Sequence, residues 1–532
     1  MKNISFHFHH GATVAVEDNG KYVILEMERY YRNRYGGIMC RDDKEFTKRI
    51  TQMLCILEDK YGIDRTYDKC SFIASSRFNS HRHSEFIDII ANLIECDNMI
   101  ITDHHHSHAA GAFYQSPYND ALIISFDGSG NDGKFNIYRG SNKTLSLVKK
   151  LDINSIGKAY RKVSLTLKDI SKINHNNRIK KMISFSGKLM GLSAYGNIHH
   201  EWMDDFRKIY SRDTEGDIST INGINFIGSN IFKHYATSNS NMEFYKEFEG
   251  QFAYDIARTN QHYFEEYFLD LVEYTIKEYN LPIILTGGCA LNVLLNERLR
   301  VKFNNNIFIP PNPDDSGLAF GGLTLLNPPD EKVDITYCGM PILDIDSELN
   351  NVLTNYPNEK MSIPNVAKLL KEGNIIGVMR GNAEVGPRAL GNRSIICDPK
   401  FPNMKDKLNK IKNREWFRPF APAVRYEDRN KYFEFEHESR FMSFGPLVRK
   451  EYRKLFPSIT HVDGTARVQT VRREQHEFFY DIMTEMDSII LNTSFNINGE
   501  PMVTRVREAI YALDNTSLDY IIIDDYLIKK RD

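Results

Sequence analysis

Two groups of residues in this chain have the types and spacing to do chemistry. The first is Gly386-Pro387-Arg388-Ala389-Leu390-Gly391-Asn392-Arg393-Ser394, followed by Lys412, Arg414 and Arg418 in the run IKNREWFRPFAP. Each guanidinium offers a planar fork of donors that fits a phosphate or carboxylate, and glycine lets backbone come close to a ligand. Two arginines five apart, framed by glycines and a proline, suggest a rigid cationic pocket for a small anion. Charge runs of this size are more often solvated faces, but the Pro-Phe-Ala-Pro packing around this one argues for burial. The second group is Asp103-His104-His105-His106-Ser107-His108, ahead of the helical stretch AAGAFYQS. His104 and His108, four apart, share one helix face and can grip one cation, while Asp103 is placed to cap the helix. Asp127 closes the strand ALIISF and opens DGSG, and Asp315 stands at the helix start in PDDSGLAFGG. Each aspartate alone is commonly a cap or turn former. Two imidazoles and two carboxylates together suit Fe²⁺, Mn²⁺ or Zn²⁺ with positions left for water or substrate.

Glycine loops supply a third signal. DGSG with Gly128, LTGGCALN with Gly287, Gly288 and Asn292, and Gly187-Lys188-Leu189-Met190-Gly191 each follow or open a predicted element. Backbone N–H groups in such loops cradle phosphates at helix N-termini. Three in one half of the chain favour an ATP site of the actin or sugar-kinase kind; there is no Walker A sequence.

The elements that must position these residues read as an α/β protein. Short β-branched runs followed by glycine turns (ATVAVEDNGKYVILEMER, ALIISFDGSG, PIILTGGCALN, NIFIPPNPDDSG) fill the first half, and NPPDEKVDITYCGMPI reads as a linker. The second half opens with the amphipathic helix IPNVAKLLKEG and the strand NIIGVMRG, and ends in the strands SIILNTSF and YIIIDDYLI. No internal repeat is visible. At 532 residues, 41% hydrophobic and 26% charged, the chain is of ordinary globular composition with room for several domains. A net charge of −2 gives no global pull toward nucleic acid or membrane, and no apolar run approaches a membrane span. The seven cysteines form no C-x-x-C pair and read as reduced thiols of a cytoplasmic protein. One local patch is strongly basic: Lys158, Arg161, Lys162, Lys168, Lys172, Arg178, Lys180, Lys181 and Lys188 against Asp169. A solvated loop is its ordinary reading; contact with a phosphate backbone is the alternative.

HHHSHAAGAFYQSP, FDGSG, GKLMGLSAYG, TGGCALN, PPNPDDSG, GPRALGNRS, NREWFRPFAP, HVDGTARVQTV and LNTSFNINGEP, in this order, resemble the O-carbamoyltransferase family across nearly the whole chain. Members carbamoylate sugar rings of nodulation factors, aminoglycosides and cephem antibiotics. The resemblance implies an actin-like (Kae1-like) domain over residues 1–345 and a YrdC-like twisted α/β domain over 346–532. It implies that carbamoyl phosphate yields carbamate in the second domain, that ATP with Mg²⁺ converts this to carbamoyl adenylate, and that an acceptor hydroxyl displaces AMP at a metal, with Fe²⁺ favoured. Carried onto matching positions, the metal ligands are His104, His108, Asp127 and Asp315. The carbamoyl-phosphate and ATP residues are Arg388, Arg393, Lys412, Arg418, Arg467, Ser494 and Asn496. Gly128, Lys188, Gly287, Gly288 and Asn292 form the first-domain nucleotide pocket. The family's histidine base corresponds to His10 or His9 in FHFHHGATVAV, here without the usual following Asp, and Ser186 stands where a Glu is usual.

The acceptor is left open: a sugar or natural product, or the hydroxymethyl group of a modified pyrimidine in DNA reached through the 158–188 stretch. So is the oligomeric state, a homodimer being one option. The competing readings are a threonylcarbamoyladenosine-type tRNA enzyme, which normally keeps the two folds on separate chains, and a silent nucleotide-binding or nucleic-acid-binding module. A hydrogenase-maturation carbamoyl donor would carry zinc-finger Cys pairs, which these residues lack.

Overall fold

The computed structural model describes residues 1–36, 42–74, 80–171, 183–211, 230–231, 248–304, 306–497 and 499–531. Three sheets organise them, as expected of an α/β protein. The first contains Lys2–His7 (β1), Thr13–Asp18 (β2), Lys21–Glu26 (β3), Lys69–Ile73 (β4) and Met99–Thr102 (β5) in the order β3-β2-β1-β4-β5. The second contains Asp120–Gly130 (β6), Gly133–Ser141 (β7), Thr144–Lys150 (β8), Ile283–Thr286 (β9) and Ile307–Phe308 (β10), in the order β8-β7-β6-β9-β10. In both, the first three strands form an antiparallel meander and the last two join parallel to the first. This twofold use of one strand order is what the actin-like resemblance implies. The repeat is one of topology. It leaves no trace in residue identities, because each strand needs only an apolar inner face.

The third sheet holds Asn358–Lys360 (β11), Ile376–Met379 (β12), Arg393–Cys397 (β13), Ala421–Arg425 (β14), Gln469–Val471 (β15), Ile490–Ser494 (β16), Tyr520–Ile523 (β17) and Tyr526–Lys529 (β18). Its order is β11-β18-β17-β12-β13-β16-β14-β15, with parallel and antiparallel neighbours mixed. YIIIDDYLI is therefore two strands, turned at Asp524, whose φ is 46°.

Two of these segments are more than the sequence suggested. DGSG is not a glycine turn after its strand: β6 continues through it and turns back as β7, with its register broken between Phe126 and Gly130. The 327–342 segment carries no helix or strand, as a linker should, but it is tied down on both sides. Ile24 N–H donates to Cys338 O, Val385 N–H to Thr336 O, and Ala383 N–H to Met340 O, at 2.8, 2.8 and 2.9 Å. The apolar core likewise runs without a break from Leu122, Phe126 and Leu285 to Met379, Ile395 and Leu491. Among the described residues no helix is long and apolar enough to cross a membrane.

One crossing positions the site. The helices His104–Gln115 and Leu318–Leu326 pass so closely that a Cβ on Gly321 would lie 1.9 Å from Ser107 O. Only glycine permits that approach. It brings Asp315, three residues before the second helix, over the first turn of the other helix, where His104 and His108 stand.

Candidate active site

The first turn of helix His104–Gln115 is held from outside. Asn131 Oδ1 accepts from His104 N–H at 3.0 Å, and the Asp132 carboxylate accepts from the N–H groups of His105 and His106 at 2.9 and 3.2 Å. Asp103 stands at the N-cap position as predicted, but its side chain bonds no helix N–H; its carboxylate accepts instead from Asn131 Nδ2 at 2.6 Å. His104 and His108 share one face. His105 turns away, its Nδ1 2.7 Å from Ser125 Oγ and its Nε2 3.1 Å from Gly133 O.

His108 Nε2 lies 3.3 Å from Asp127 Oδ2 and 3.6 Å from Asp315 Oδ1; His104 Nε2 lies 3.5 and 3.7 Å from the same two carboxylates. A cation bound at 2.0–2.1 Å by four tetrahedral ligands spaces those ligands about 3.3 Å apart. The four donor atoms all lie within 4.8 Å of one another, and His104 Nε2 is buried with no hydrogen-bond partner among the described residues. The donor set therefore fits a divalent transition cation. Burial disfavours a charged His108 ring, but the paired Asp127 and Asp315 carboxylates outweigh it and raise its pKa to about 9. Burial would raise both carboxyls, and the facing histidines instead hold them below the usual carboxylate range.

On the far side of Asp315, His10 Nδ1 lies 3.1 Å from Oδ2. His9 is buried, its Nδ1 against that of His10, whereas His10 lines the cavity. The geometry thus favours His10 over His9 as the group that meets a substrate. His7 packs behind them, and burial pushes its pKa down to about 3, leaving it neutral.

A cavity of about 730 Å³ runs from Asp127, Asp315 and His10 to Arg388, Arg414, Arg418, Arg467, Ser494 and Asn496. Burial pushes the Arg388 pKa down to about 10, so it stays charged at neutral pH, with Asp314 the carboxylate acting on it. Arg467 Nε is buried without a partner among the described residues, and the side chain's pKa is lowered by burial and by the charges of Arg388 and Arg418. Cations crowded together in a largely buried pocket favour an anionic guest. Gly128, Lys188, Gly288 and Asn292 also line this cavity. Asn292 has a structural task as well, its Oδ1 accepting from Leu295 N–H at 3.1 Å.

Three predicted site residues stand elsewhere. Arg393 is fully buried at the start of β13 and donates to the carbonyls of Arg380, Asn392 and Gly381 at 2.8, 2.8 and 2.9 Å, so it braces the loop that carries Arg388. Lys412 lies behind the wall. Its Nζ donates to Ser494 O and Asn496 Oδ1 at 2.5 and 2.6 Å, which positions those two residues. Gly287 packs beneath its loop against the Phe126 backbone. Arg393→Ala is expected to lower stability by about 3 kcal/mol or more, read in a denaturant titration, because it removes a fully buried side chain together with its hydrogen bonds to the loop. Unchanged stability would show that Arg393 is not a brace.

Motif reasoning missed Arg34 and Tyr35, which reach the cavity from the first half. Arg29, seated by its bond to Gly386 O at 2.7 Å, and Arg32, bonded to Met502 O at 2.7 Å, anchor this segment on the second half. The available signal was the charge-dense run EMERYYRNR directly after β3. In the basic stretch, Lys158, Arg161 and Lys188 line the cavity, Lys168 pairs with Glu249, and Lys172, Arg178, Lys180 and Lys181 lie outside the described residues.

Residues 41–323 match the family model for the carbamoyltransferase N-terminus and residues 367–530 that for the carbamoyltransferase C-terminus. Nodulation protein NolNO of Sinorhizobium fredii (strain NBRC 101917 / NGR234) is 29% identical over 98% of this chain and 79% of its own length. MJ1051 of Methanocaldococcus jannaschii is 32% identical over 80% of this chain and 82% of its own. The 3'-hydroxymethylcephem-O-carbamoyltransferase of Amycolatopsis lactamdurans is 30% identical over 46% of this chain and 48% of its own.

Proposed function

The chain belongs to the carbamoyltransferase family, and from that premise we propose that it is an ATP-dependent O-carbamoyltransferase working through carbamoyl adenylate. The observation that supports this reading is the single cavity shared by the arginine cluster and by Asp127 and Asp315, the two carboxylates of the His104–His108–Asp127–Asp315 group. Carbamate is a poor electrophile, and adenylation equips it with a leaving group. The adenylate hydrolyses readily, so making and using it inside one cavity shortens its exposure to water.

Arg388, Arg418 and Arg467 hold the phosphate of carbamoyl phosphate, with Ser494 and Asn496, fixed by Lys412, orienting ATP. Gly128, Gly288 and Lys158 line the path toward the second centre. His104, His108, Asp127 and Asp315 would hold a divalent cation, Fe²⁺ first and Mn²⁺ or Zn²⁺ as alternatives. When bound, it supplies Lewis acidity at the carbamoyl oxygen and offsets charge on the departing AMP. His10, on the wall beside Asp315, takes the proton of the acceptor hydroxyl.

The test is incubation of the chain with carbamoyl phosphate, MgATP and a panel of hydroxyl acceptors that includes amino sugars, chito-oligosaccharides and hydroxymethylated DNA. Product is read by mass spectrometry together with AMP and pyrophosphate. One added carbamoyl group on an acceptor, with both by-products, is expected. Carbamoylation that proceeds without ATP would refute the adenylate route.

A further inference from the structure

Glu415 places a carboxylate against two of the cavity's cations. It sits on the cavity wall between Arg414 and Trp416, within the arginine cluster. Its Oε1 lies 2.5 Å from Lys188 Nζ and its Oε2 3.5 Å from Arg418 Nη1. Lys188 belongs to the helix Phe185–Leu192 of the first half, so this carboxylate joins the two halves across the cavity. Burial would push its carboxyl up, yet Lys188 and Arg418 hold it below the ordinary range, and it remains ionised.

An ionised carboxylate inside an anion-binding space has a cost for affinity. Without a ligand it neutralises Lys188 and Arg418 and limits repulsion among the buried cations. With a phosphate on Arg418, the same fixed negative charge stands within several ångströms of the guest and opposes it. Tight binding of a ground-state polyanion lowers KM without speeding chemistry and slows product release. A resident charge that weakens all phosphate guests alike avoids that trap.

We propose that Glu415 is a built-in counter-anion, shared by Lys188 and Arg418, that holds down the cavity's affinity for phosphate-bearing ligands. The inference rests on the functional reading above, in that the guests are phosphate anions.

Titration calorimetry on the full chain tests it, with carbamoyl phosphate and inorganic pyrophosphate as the probes. E415Q keeps the shape and a hydrogen bond to Lys188 but removes the charge; both probes are expected to bind roughly tenfold tighter. Pyrophosphate should then inhibit turnover at roughly tenfold lower concentration. K188M removes one of the two cations that face Glu415 and is expected to weaken both probes, and the double variant K188M/E415Q should recover at least wild-type affinity. Equal or weaker binding by E415Q would overturn the proposal. So would a double variant as weak as K188M, because Lys188 would then be a direct ligand and Glu415 a bystander. A wild-type chain that binds neither probe would remove the functional reading itself; wild-type binding with no gain in E415Q removes only the counter-anion.

Discussion

Asp315→Ala is expected to empty the metal centre and reduce carbamoyl transfer roughly 10³-fold, while formation of the adenylate survives. Asp315 is the point on which the centre converges: Oδ1 faces His104 and His108, and Oδ2 faces His10 and, at 3.8 Å, His7. Removing it takes away one of the four proposed ligands and the carboxylate that faces His10. Lewis-acid stabilisation of several kcal/mol corresponds to about three decades in rate. Elemental analysis should show metal content falling toward zero, and carbamoyl-phosphate-dependent exchange of pyrophosphate into ATP should continue. Treating the wild-type chain with a chelator should copy the variant, with Fe²⁺ restoring only the wild type. Normal transfer by Asp315→Ala would refute the ligand assignment.

Arg388→Ala gives the complementary result. Its guanidinium makes no hydrogen bond or ion pair with the described residues, so its loss should leave stability nearly unchanged, in contrast to Arg393→Ala. A charge-assisted, two-pronged contact to phosphate is worth about 3–4 kcal/mol in such a pocket. The kcat/KM for carbamoyl phosphate should therefore fall by roughly 10²–10³, with metal content intact. Wild-type kinetics would dissolve the anion pocket; a large drop in thermal stability would recast Arg388 as structural.

The two centres were legible to different degrees in the sequence, for physical reasons. Helical spacing places His104 and His108 on one face wherever that helix lies, and an Asp at the start of a helix is locally readable as Asp315. Arg388 and Arg393 are indistinguishable by type and surroundings. What separates them is where β13 begins: Arg393 is its first residue and turns inward, after Gly391 has reversed the chain at φ 134°. Strand starts are set by pairing partners far away, here β12 and β16, which no local pattern reports. Asp127 was found for an incomplete reason, since DGSG belongs to a hairpin. Arg34 escaped because its role depends on tertiary placement: only after the 26–36 segment docks on Gly386 and Met502 does it reach the cavity.

Asp314 and Asp315 are neighbours in the chain, yet one acts on Arg388 and the other on the histidines. Adjacent α-carbons are 3.80 Å apart. In the proposed reaction, the workshop that makes the labile acyl group and the bench that uses it thus meet at one peptide bond, with Asp314 on the side of Arg388 and Asp315 on the side of the histidines. Leakage should therefore be slight: each ATP consumed ought to appear as one modified acceptor, with little ammonia set free, even when the acceptor is scarce enough to make the second step slow.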